Sequence, residues 1–489
     1  MQSLSTALLA ACGAPQIGGG TPGETAFLQR LVAVTPSARQ IAHSGLSYYS
    51  FIHFGMNTMT NREWGLGNEN LSLFNPDALN TDQWCRVLKE SGSRGVILTA
   101  KHHDGFCLWD TKTTAHSVMH TPYGKDVLAQ LKASCDKYDL KLGVYLSPWD
   151  RNAPQYGTES YNDFFVAQLT ELCSGYGELF EVWFDGACGE GKNGKKQRYD
   201  WQRYYAVIRQ LQPQAVIAVS GPDVRWIGNE GGKVRESEWS VVGAPAILTE
   251  KVAAQSQTDE KDLTFDRCEE DLGSRNALRG ETALIWSPAE ADVSVTTGWF
   301  YHDRKYYLFR KKRTAKQLSD IYFNTVGGNA TLLLNVPPDN HGQISPREQR
   351  TLRRFAARTQ APFRHPLLSS YALLCEDGTV LDGDDVQTLK DCASVAFPTG
   401  AFVLQLTFDG AKTVRTLSLK EDITHSQRVE RFSVWAYTEK GKLQKLESHT
   451  VIGRQKIVRL KKPVKAQAVF VVIEQSRAEP VICEAKAFG

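Results

Sequence analysis

Short runs of apolar residues alternate with helix-like segments along the first two thirds of the chain. The apolar runs lie at 47–55, 94–103, 140–149, 179–186, 214–221, 282–288 and 330–338, and helical patterns lie at 81–92, 124–139, 161–177 and 311–326. Strands that are apolar on both faces and alternate with helices are typical of a parallel sheet covered on both sides. Seven or eight such units over roughly 300 residues favour a (β/α)8-like TIM barrel, irregular in its later units, over an open sheet.

The pattern changes after a polar helix predicted at 346–360. Beyond it, apolar and polar residues alternate, with turn signals every ~10–14 residues and no good helix, which predicts an antiparallel β-sandwich. The chain therefore divides into three predicted parts: a leader or disordered segment at 1–22, a catalytic barrel at 23–362, and a sandwich at 363–489.

Composition changes this picture little. Of the 489 residues, 42% are hydrophobic and 23% are charged, which is ordinary for a globular protein of two or three units. The 57 basic and 54 acidic residues nearly balance, and no Lys/Arg-rich block stands out, so we predict no nucleic-acid partner. No run approaches the ~20 apolar residues of a membrane span, so we predict none.

Ten cysteines are scattered along the chain without a CxxC pair or a Cys/His spacing that suits zinc. Several of them, such as Cys107 and Cys173, lie inside apolar stretches, which is typical of free buried thiols. A phosphate-binding P-loop is also missing. We therefore predict neither a disulfide framework, nor a metal, nor a cofactor.

The first residues allow two interpretations. Leu9 to Cys12 read LAAC, the small-residue pattern that precedes a lipidated cysteine in bacterial lipoproteins, but no Lys or Arg comes before it and the apolar run is short. A disordered, Gly-rich leader is the alternative. We carry forward the expectation of export, to the bacterial periplasm or to a lipid anchor at Cys12.

Polar and aromatic residues stand at the ends of successive predicted strands. In a TIM barrel these carboxyl ends line the active site, so four neighbouring strands with such ends indicate a site, although any one of them could be structural. The ends carry His53, His102 and His103, Tyr145 and Trp149, Trp183 and Asp185, and the segment 220–225; Glu63 and Trp64 follow in the first loop.

The three histidines raise the question of a metal. His102 and His103 are adjacent, however, and neighbouring side chains of an extended chain point to opposite faces. No HxH or HxxxH pair is present, so we do not predict a metal centre. Neutral imidazoles can donate hydrogen bonds to hydroxyl groups, and aromatic faces beside them can cover C–H surfaces. This mixture fits a sugar better than a phosphate.

Glycoside hydrolysis generally needs two carboxyl groups, one as nucleophile or base and one as proton donor. Asp185 is the first candidate because it ends an apolar strand. The residues leave the second carboxyl open. Its candidates are Glu230, which lies among glycines in a loop, and Glu236, Glu238, Glu290 and Asp292.

Six segments of the predicted barrel resemble the α-L-fucosidases of glycoside hydrolase family 29. They read FIHFGMNT, NREWG, AKHHDGFCLWDTKTTAHSV, GVYLSPWD, EVWFDGA and GGNATLLLNVPPDNHGQI. The resemblance implies a barrel followed by a β-sandwich, and an exo-acting retaining α-L-fucosidase whose substrate is a fucosylated glycan. It implies Asp185 as the nucleophile, and it implies these fucose-binding residues: His53, Glu63, Trp64, His102, His103, Tyr145, Trp183, Arg225 and Trp299.

The proton donor follows from a closer resemblance. RWIGNEGG, RESEWSVV and WSPAEADVSV are similar to the subgroup that prefers α-1,3/1,4-linked, branched fucosides. In that subgroup the glutamate of GNE is the acid/base, which implies Glu230 here, with Glu238 and then Glu290 as alternatives. A fucosidase of broader linkage specificity, a non-catalytic fucose-binding barrel and a metal-dependent hydrolase are the competing interpretations.

The sandwich has two interpretations as well. It could support the barrel by packing against it, which is the simpler expectation. Alternatively, the stretch LSLKEDITHSQRVERFSVWAY has the look of a galactose-binding-like sandwich, and Glu421, Asp422 or His425 could reach a ligand.

Overall fold

The computed structural model describes residues 2–256, 271–303 and 312–489. Eight parallel strands form a nearly closed barrel. They are β1 Tyr48–Ile52, β2 Gly95–Lys101, β3 Lys141–Leu146, β4 Leu179–Phe184, β5 Val216–Val219, β6 Arg225–Trp226, β7 Ala289–Ser294 and β8 Ala330–Asn335. Their neighbour order is β5-β4-β3-β2-β1-β8-β7-β6, and a parallel bridge between Ala218 and Val224 links β5 to the segment before β6. The predicted TIM barrel is thus confirmed.

Six of the described helices cover the barrel, and local sequence explains their limits. Asn80 caps the first of them by accepting a hydrogen bond from Gln83 N, while Trp84 and Leu88 bury its apolar face. Ser345 caps the last one, which begins with a proline at its first turn. These helices are α1 Thr81–Glu90, α2 Val127–Tyr138, α3 Ser160–Gly175, α4 Trp201–Leu211, α5 Ala315–Thr325 and α6 Pro346–Gln360.

The later units depart from the predicted rhythm. The apolar run predicted at 282–288 contributes Leu284–Trp286, which pairs antiparallel with Val241–Gly243 outside the barrel. The seventh barrel strand follows it as β7, whose sequence AEADVS carries two acids and was not predicted as a strand. No helix lies between β5 and β6, which are only a few residues apart.

The C-terminal strands form the antiparallel sandwich. Residues 401–421 form one long strand with breaks in its register, and a second long strand runs from 456 to 476. One half of the first long strand pairs with the strand at 369–375 and the other half with the strand at 481–488. Both halves contribute to one apolar cluster. The main strands are β9 Ser369–Cys375, β10 Ala401–Glu421, β11 Val429–Thr438, β12 Leu443–His449, β13 Lys456–Ser476 and β14 Val481–Phe488.

The N-terminal segment has defined structure from residue 2. The structure describes a helix, Gln2–Cys12, and a short strand, Gln16–Ile17, that pairs parallel with the end of β13. Leu8 is buried against Phe402 and Phe470 on the outer face of the sandwich. The remaining helices are Pro22–Val32, Ala38–Ser44, Met56–Thr60, Thr249–Ser256, Arg275–Leu278 and Asp384–Gln387.

Cysteine chemistry and membrane spans can be checked over the described ranges. The nine described cysteines are free thiols, while Cys268 lies outside the described residues. Within 2–256, 271–303 and 312–489, no helix is both long enough and apolar enough to cross a membrane.

The sandwich reaches the end of the barrel where its strands begin. Arg454 donates to Asn329 Oδ1 through its backbone N at 2.8 Å and to Ser47 Oγ through its guanidinium at 2.9 Å. Gln427 Oε1 accepts a hydrogen bond from Ser240 N at 2.9 Å. The opposite end, where the strands finish, carries the candidate site.

Candidate active site

Asp185 follows the last residue of β4 and lies half-buried. Its Oδ2 accepts a hydrogen bond from Tyr145 OH at 2.9 Å, and its Oδ1 accepts one from Ala187 N at 2.8 Å. About a fifth of the side chain, 22%, remains exposed. A carboxylate that is oriented by two donors and still open on one side is placed to meet a bound molecule.

His53 is buried at the end of β1 and held by Asn335. Its Nδ1 lies 2.9 Å from Asn335 Oδ1, and the Asn335 amide is itself oriented because its Nδ2 donates to Ser294 Oγ and Trp299 O. His53 Nδ1 therefore donates. Burial lowers the pKa of His53 to about 4, so the ring is neutral near pH 7 and its Nε2 is a hydrogen-bond acceptor.

His103 has the same tautomer for a similar reason. Ser147 Oγ donates to Trp149 O at 2.6 Å, so it accepts from His103 Nδ1, which lies 2.7 Å away. Burial lowers the pKa of His103, and the neutral ring keeps an unprotonated Nε2, 3.9 Å from Asp185 Oδ2. The sequence predicts imidazoles that donate to hydroxyl groups, whereas the hydrogen bonds of His53 and His103 make their Nε2 atoms acceptors.

His102 has the opposite tautomer. Its Nδ1 lies 3.4 Å from Asn57 Nδ2, an amide nitrogen that can only donate, so Nε2 carries the proton. Burial also lowers the pKa of His102 well below its usual value. The rings of His102 and His103 lie 4.1 Å apart instead of on opposite faces, because β2 ends at Lys101 and the chain turns there. The expectation drawn from extended geometry was wrong at this point.

Aromatic rings surround these polar groups. Tyr145 stacks on His102 at 5.6 Å on one face and on Trp183 at 5.3 Å on the other. Trp299 lies 5.1 Å from the ring of His53. Rings packed in this way offer apolar faces beside hydrogen-bonding atoms, which suits the mixed surface of a sugar.

Trp64 stands at the rim and is 47% exposed. Its ring lies 5.6 Å from Trp149 and 6.0 Å from His103. The loop that carries it packs closely on the loop after β3: Gly67 has a φ of +79°, and a Cβ there would lie 2.4 Å from the backbone of Arg151. Glycine is therefore required at position 67.

Glu63 joins the first loop to the loop after β7. Its Oε2 accepts from Trp299 N at 2.8 Å, and its Oε1 lies 2.5 Å from His302 Nε2. His302 Nδ1 in turn lies 2.9 Å from Asn61 Oδ1. Glu63 therefore fixes the segment that brings Trp299 to the site.

Arg225 does not join the cluster. Its guanidinium is buried, pairs with Glu238 and donates to Trp239 O at 2.7 Å and to Ser287 O at 3.1 Å. Trp226, the next residue, packs among the rings inside the barrel. Because adjacent strand residues point in opposite directions, Arg225 points away from the interior. The contact between Arg225 and the sugar stays a prediction, and the bonds described here place the guanidinium beside Glu238.

The candidates for the second catalytic carboxyl group differ in burial and in bonding partners. Glu238 is buried in the pair with Arg225 and also contacts Arg235, and Glu290 is buried beneath Trp183. Asp292 is buried and accepts from Trp226 Nε1 at 2.6 Å. Glu236 is exposed beside the sandwich, where Thr450 donates to its backbone O.

Glu230 differs from these four acids because it combines exposure with a position at the site end. It lies in the loop after β6, and its charge interacts with that of Arg313. Arg313 donates to Thr296 O at 3.4 Å, just beyond the end of β7. The loop itself is anchored at Gly232, which packs on Val293 and Ile321.

Three residues that support the site were missed from the sequence. Asn335, Ser147 and His302 hold His53, His103 and Glu63 respectively. Asn335 ends β8 and Ser147 follows β3, so the strand-end rule that found the histidines could have found both. His302 lies in an irregular loop and carries no such signal.

Comparisons with known proteins agree with this geometry. The profile of the α-L-fucosidase family matches residues 44–360. Alpha-L-fucosidase 1 of Arabidopsis thaliana is 35% identical over 91% of this chain and 86% of its own. A crystallised candidate α-L-fucosidase of Bacteroides ovatus is 42% identical, with a TM-score of 0.81 over 97% of this chain and 77% of its own. A Ruminococcus gnavus fucosidase, crystallised with fucose, is 26% identical with a TM-score of 0.77, over 97% of this chain and 96% of its own.

The match of the family profile covers the whole barrel, and the catalytic end of that barrel carries the neutral histidines, the stacked rings and the half-buried aspartate described above. The substrate class that the family implies is a fucosylated glycan. The chain belongs to the α-L-fucosidase family and is a glycoside hydrolase.

Proposed function

We propose that this protein is an exo-acting, retaining α-L-fucosidase that releases terminal fucose from α-1,3/1,4-linked glycans. The observation that carries the proposal is the geometry of Asp185: oriented by Tyr145 OH and Ala187 N, and open on its remaining side. In the proposed mechanism the Asp185 carboxylate attacks the anomeric carbon and forms a covalent fucosyl-enzyme.

Glu230 is the proposed acid/base. It would protonate the leaving oxygen in the first step and activate water in the second, which requires it to approach Asp185 to about 5–5.5 Å. Its exposed position in a loop supports this role, because the other four acids are buried in other bonds or lie away from the site.

The ring nitrogens support recognition of a hydroxylated ring. Acceptors at His53 and His103 and a donor at His102 form a pattern that three sugar hydroxyls could match. Hydrogen bonds that strengthen as the oxocarbenium-like charge develops would lower the barrier. The preference for α-1,3/1,4 linkages rests on the sequence resemblance around Glu230.

Azide tests the nucleophile. Asp185→Ala should lose turnover of an aryl α-L-fucoside, and sodium azide should restore part of it as β-fucosyl azide, because azide enters the face that Asp185 vacates. The product is identified by NMR. Fucosyl azide of α configuration would contradict the assignment of Asp185 as nucleophile. Full activity of Asp185→Ala without any fucosyl azide would contradict it as well.

Leaving groups test the acid/base. Glu230→Ala should lose most activity on a natural fucoside and much less on an aryl fucoside with a good leaving group, since only the poor leaving group needs protonation. An exposed glutamate of α1, Glu90, gives the control Glu90→Ala. Equal losses on both substrates would point to another acid.

Linkage is tested separately with a panel of fucosylated oligosaccharides. Hydrolysis of Lewis-type α-1,3 and α-1,4 fucosides, with little release from α-1,2 and α-1,6 fucosides, is the expected result. Comparable rates on all four would support the broader specificity, and binding without hydrolysis would support the non-catalytic alternative.

A further inference from the structure

A buried polar cluster lies inside the barrel beneath the site, and the proposed mechanism does not use it. It consists of Glu290 on β7, Glu181 on β4, Tyr49 on β1 and His43 before β1, and each of these side chains is at most 3% exposed. Glu181 and Trp183 lie on β4, and Asp185 directly follows the end of that strand. Since alternate strand residues share a face, the three side chains form a column that leads down from the nucleophile.

Glu290 contacts that column directly. Its Oε1 accepts a hydrogen bond from Trp183 Nε1 at 2.7 Å, and its Oε2 accepts one from Tyr49 OH. Burial and the neighbouring Glu181 raise the pKa of Glu290 well above its usual value. The raised pKa favours the protonated form of Glu290, whose Oε1 receives the indole N–H.

Trp183 transmits this contact upward. Its ring stacks on Tyr145 with centroids 5.3 Å apart and an angle of 26° between the planes. Tyr145 OH in turn donates to Asp185 at 2.9 Å. Fixing the indole N–H thus fixes the ring face against which the Tyr145 ring rests.

We propose that Glu290 is a positioning residue for the reaction: its hydrogen bond to Trp183 holds the Trp183–Tyr145 stack that orients Asp185. The inference rests on the proposed role of Asp185 as nucleophile. Glu290 is fully buried, and its contact with Trp183 leads through Tyr145 to Asp185, so its effect on turnover passes through Trp183.

A double-mutant cycle tests the route. The variants are Glu290→Leu, Trp183→Phe and the pair together, with kcat and KM measured on an aryl α-L-fucoside. We expect Glu290→Leu to lower kcat by about 100-fold, the order of loss that follows a misplaced catalytic group. In the Trp183→Phe background, which lacks the N–H, the same substitution should cost less than about threefold.

A conservative variant distinguishes position from charge. Glu290→Gln keeps a carbonyl oxygen for Trp183 and matches a neutral acid, so its kcat should stay within about fivefold of the wild type. It also serves if Glu290→Leu does not fold, because a 100-fold loss in a folded Glu290→Gln enzyme would overturn the inference. Glu90→Gln, at an exposed position on α1, is the control.

Two other results would overturn the inference. Equal losses from Glu290→Leu in both backgrounds would show that Glu290 does not act through Trp183. A metal ion found by elemental analysis and lost from the Glu290→Gln variant would make Glu290 a ligand instead, since its carboxylate, His43 and Glu181 offer ligand atoms within 4.8 Å of one another. Failure of the proposed function would be distinct: it would appear as full activity of Asp185→Ala.

Discussion

Asp185 in the barrel and Glu421 in the sandwich both stand at the carboxyl end of a strand, yet their surroundings differ. Glu421 is buried, and its two oxygens accept hydrogen bonds from the backbone N–H groups of Arg428, Val429 and Gly453. Asp185 has two donors and an open side. A strand-end acid therefore indicates chemistry only where some of its lone pairs remain available.

The other sandwich candidates follow Glu421. Asp422 accepts from Thr424 N at 3.0 Å and from Ser394 Oγ at 2.6 Å, and it pairs with His425 at 3.3 Å. These bonds fix a turn that ends β10. The geometry fits the expectation of a supporting domain better than that of a second ligand site.

The largest expected effect separates activity from stability at Asp185. Asp185→Ala should lower kcat by roughly 10⁴-fold or more, because the covalent step is lost. Its free energy of unfolding should change by no more than about 2 kcal/mol, since only two hydrogen bonds disappear. Fucoside hydrolysis measures kcat, and urea denaturation measures the free energy of unfolding. An unfolded Asp185→Ala variant would contradict the prediction that this residue matters for activity and little for stability.

Glu421→Ala should do the reverse. Three buried N–H groups lose their acceptor, so the free energy of unfolding should fall by about 3 kcal/mol or more. The kcat of the folded protein should stay within about twofold of the wild type. Glu90→Ala, which removes one partner of the exposed pair with Arg86, should change stability by less than about 1 kcal/mol. A large loss of kcat in Glu421→Ala would give the sandwich acid a functional role.

The neutral histidines of the site predict a pH dependence of stability. The pKa of His53 is about 4 in the folded chain, below the usual 6.5, so the unfolded chain binds a proton that the folded chain does not. Stability from this group is complete above about pH 6.5 and is lost as the pH falls towards 4. Between pH 7 and 5 the free energy of unfolding should lose about 2 kcal/mol through His53, and this contribution should be absent from His53→Gln. Equal dependence of the unfolding free energy on pH in the wild type and in His53→Gln, measured by urea denaturation, would contradict this prediction.

The smallest expected effect concerns the support of one imidazole. Ser147→Ala removes the acceptor that fixes the tautomer of His103, so kcat/KM should fall by about tenfold, equivalent to about 1.4 kcal/mol. Ser174→Ala, on the exposed face of α3, removes a hydroxyl of equal size far from the site and serves as the control. Unchanged kinetics in Ser147→Ala would show that His103 does not depend on this bond.

Apolar patterning found most of the barrel but neither the two-residue strand β6 nor β7. The first five strands carry continuous apolar runs because both of their faces are buried, whereas β7 alternates small residues with Glu290 and Asp292. Those acids face the interior, where Trp183 and Trp226 satisfy them. A strand that supports a polar core looks like a loop when it is judged by hydrophobicity alone.

Strand ends also predicted much of the cluster around Asp185, whereas Arg225 lies outside that cluster. His53, His102, His103, Tyr145, Trp183 and Asp185 come together because parallel strands finish at one edge. Arg225 stands next to the barrel-lining Trp226 in β6, and a shift of one residue along a strand reverses the direction of a side chain. The sequence shows that a strand is present but does not show which of two neighbours points inwards.

By itself, then, the sequence determined the succession of strands and helices, the change to a sandwich and the residues that resemble α-L-fucosidases, because periodicity and motifs are local properties of the chain. Only the tertiary structure decided which groups are available for chemistry. The tautomers of the histidines, the burial of Glu238 and Glu290, and the open side of Asp185 depend on partners from distant strands. Those partners meet only when the barrel closes, and the resulting burial and hydrogen bonds set the chemistry of each group.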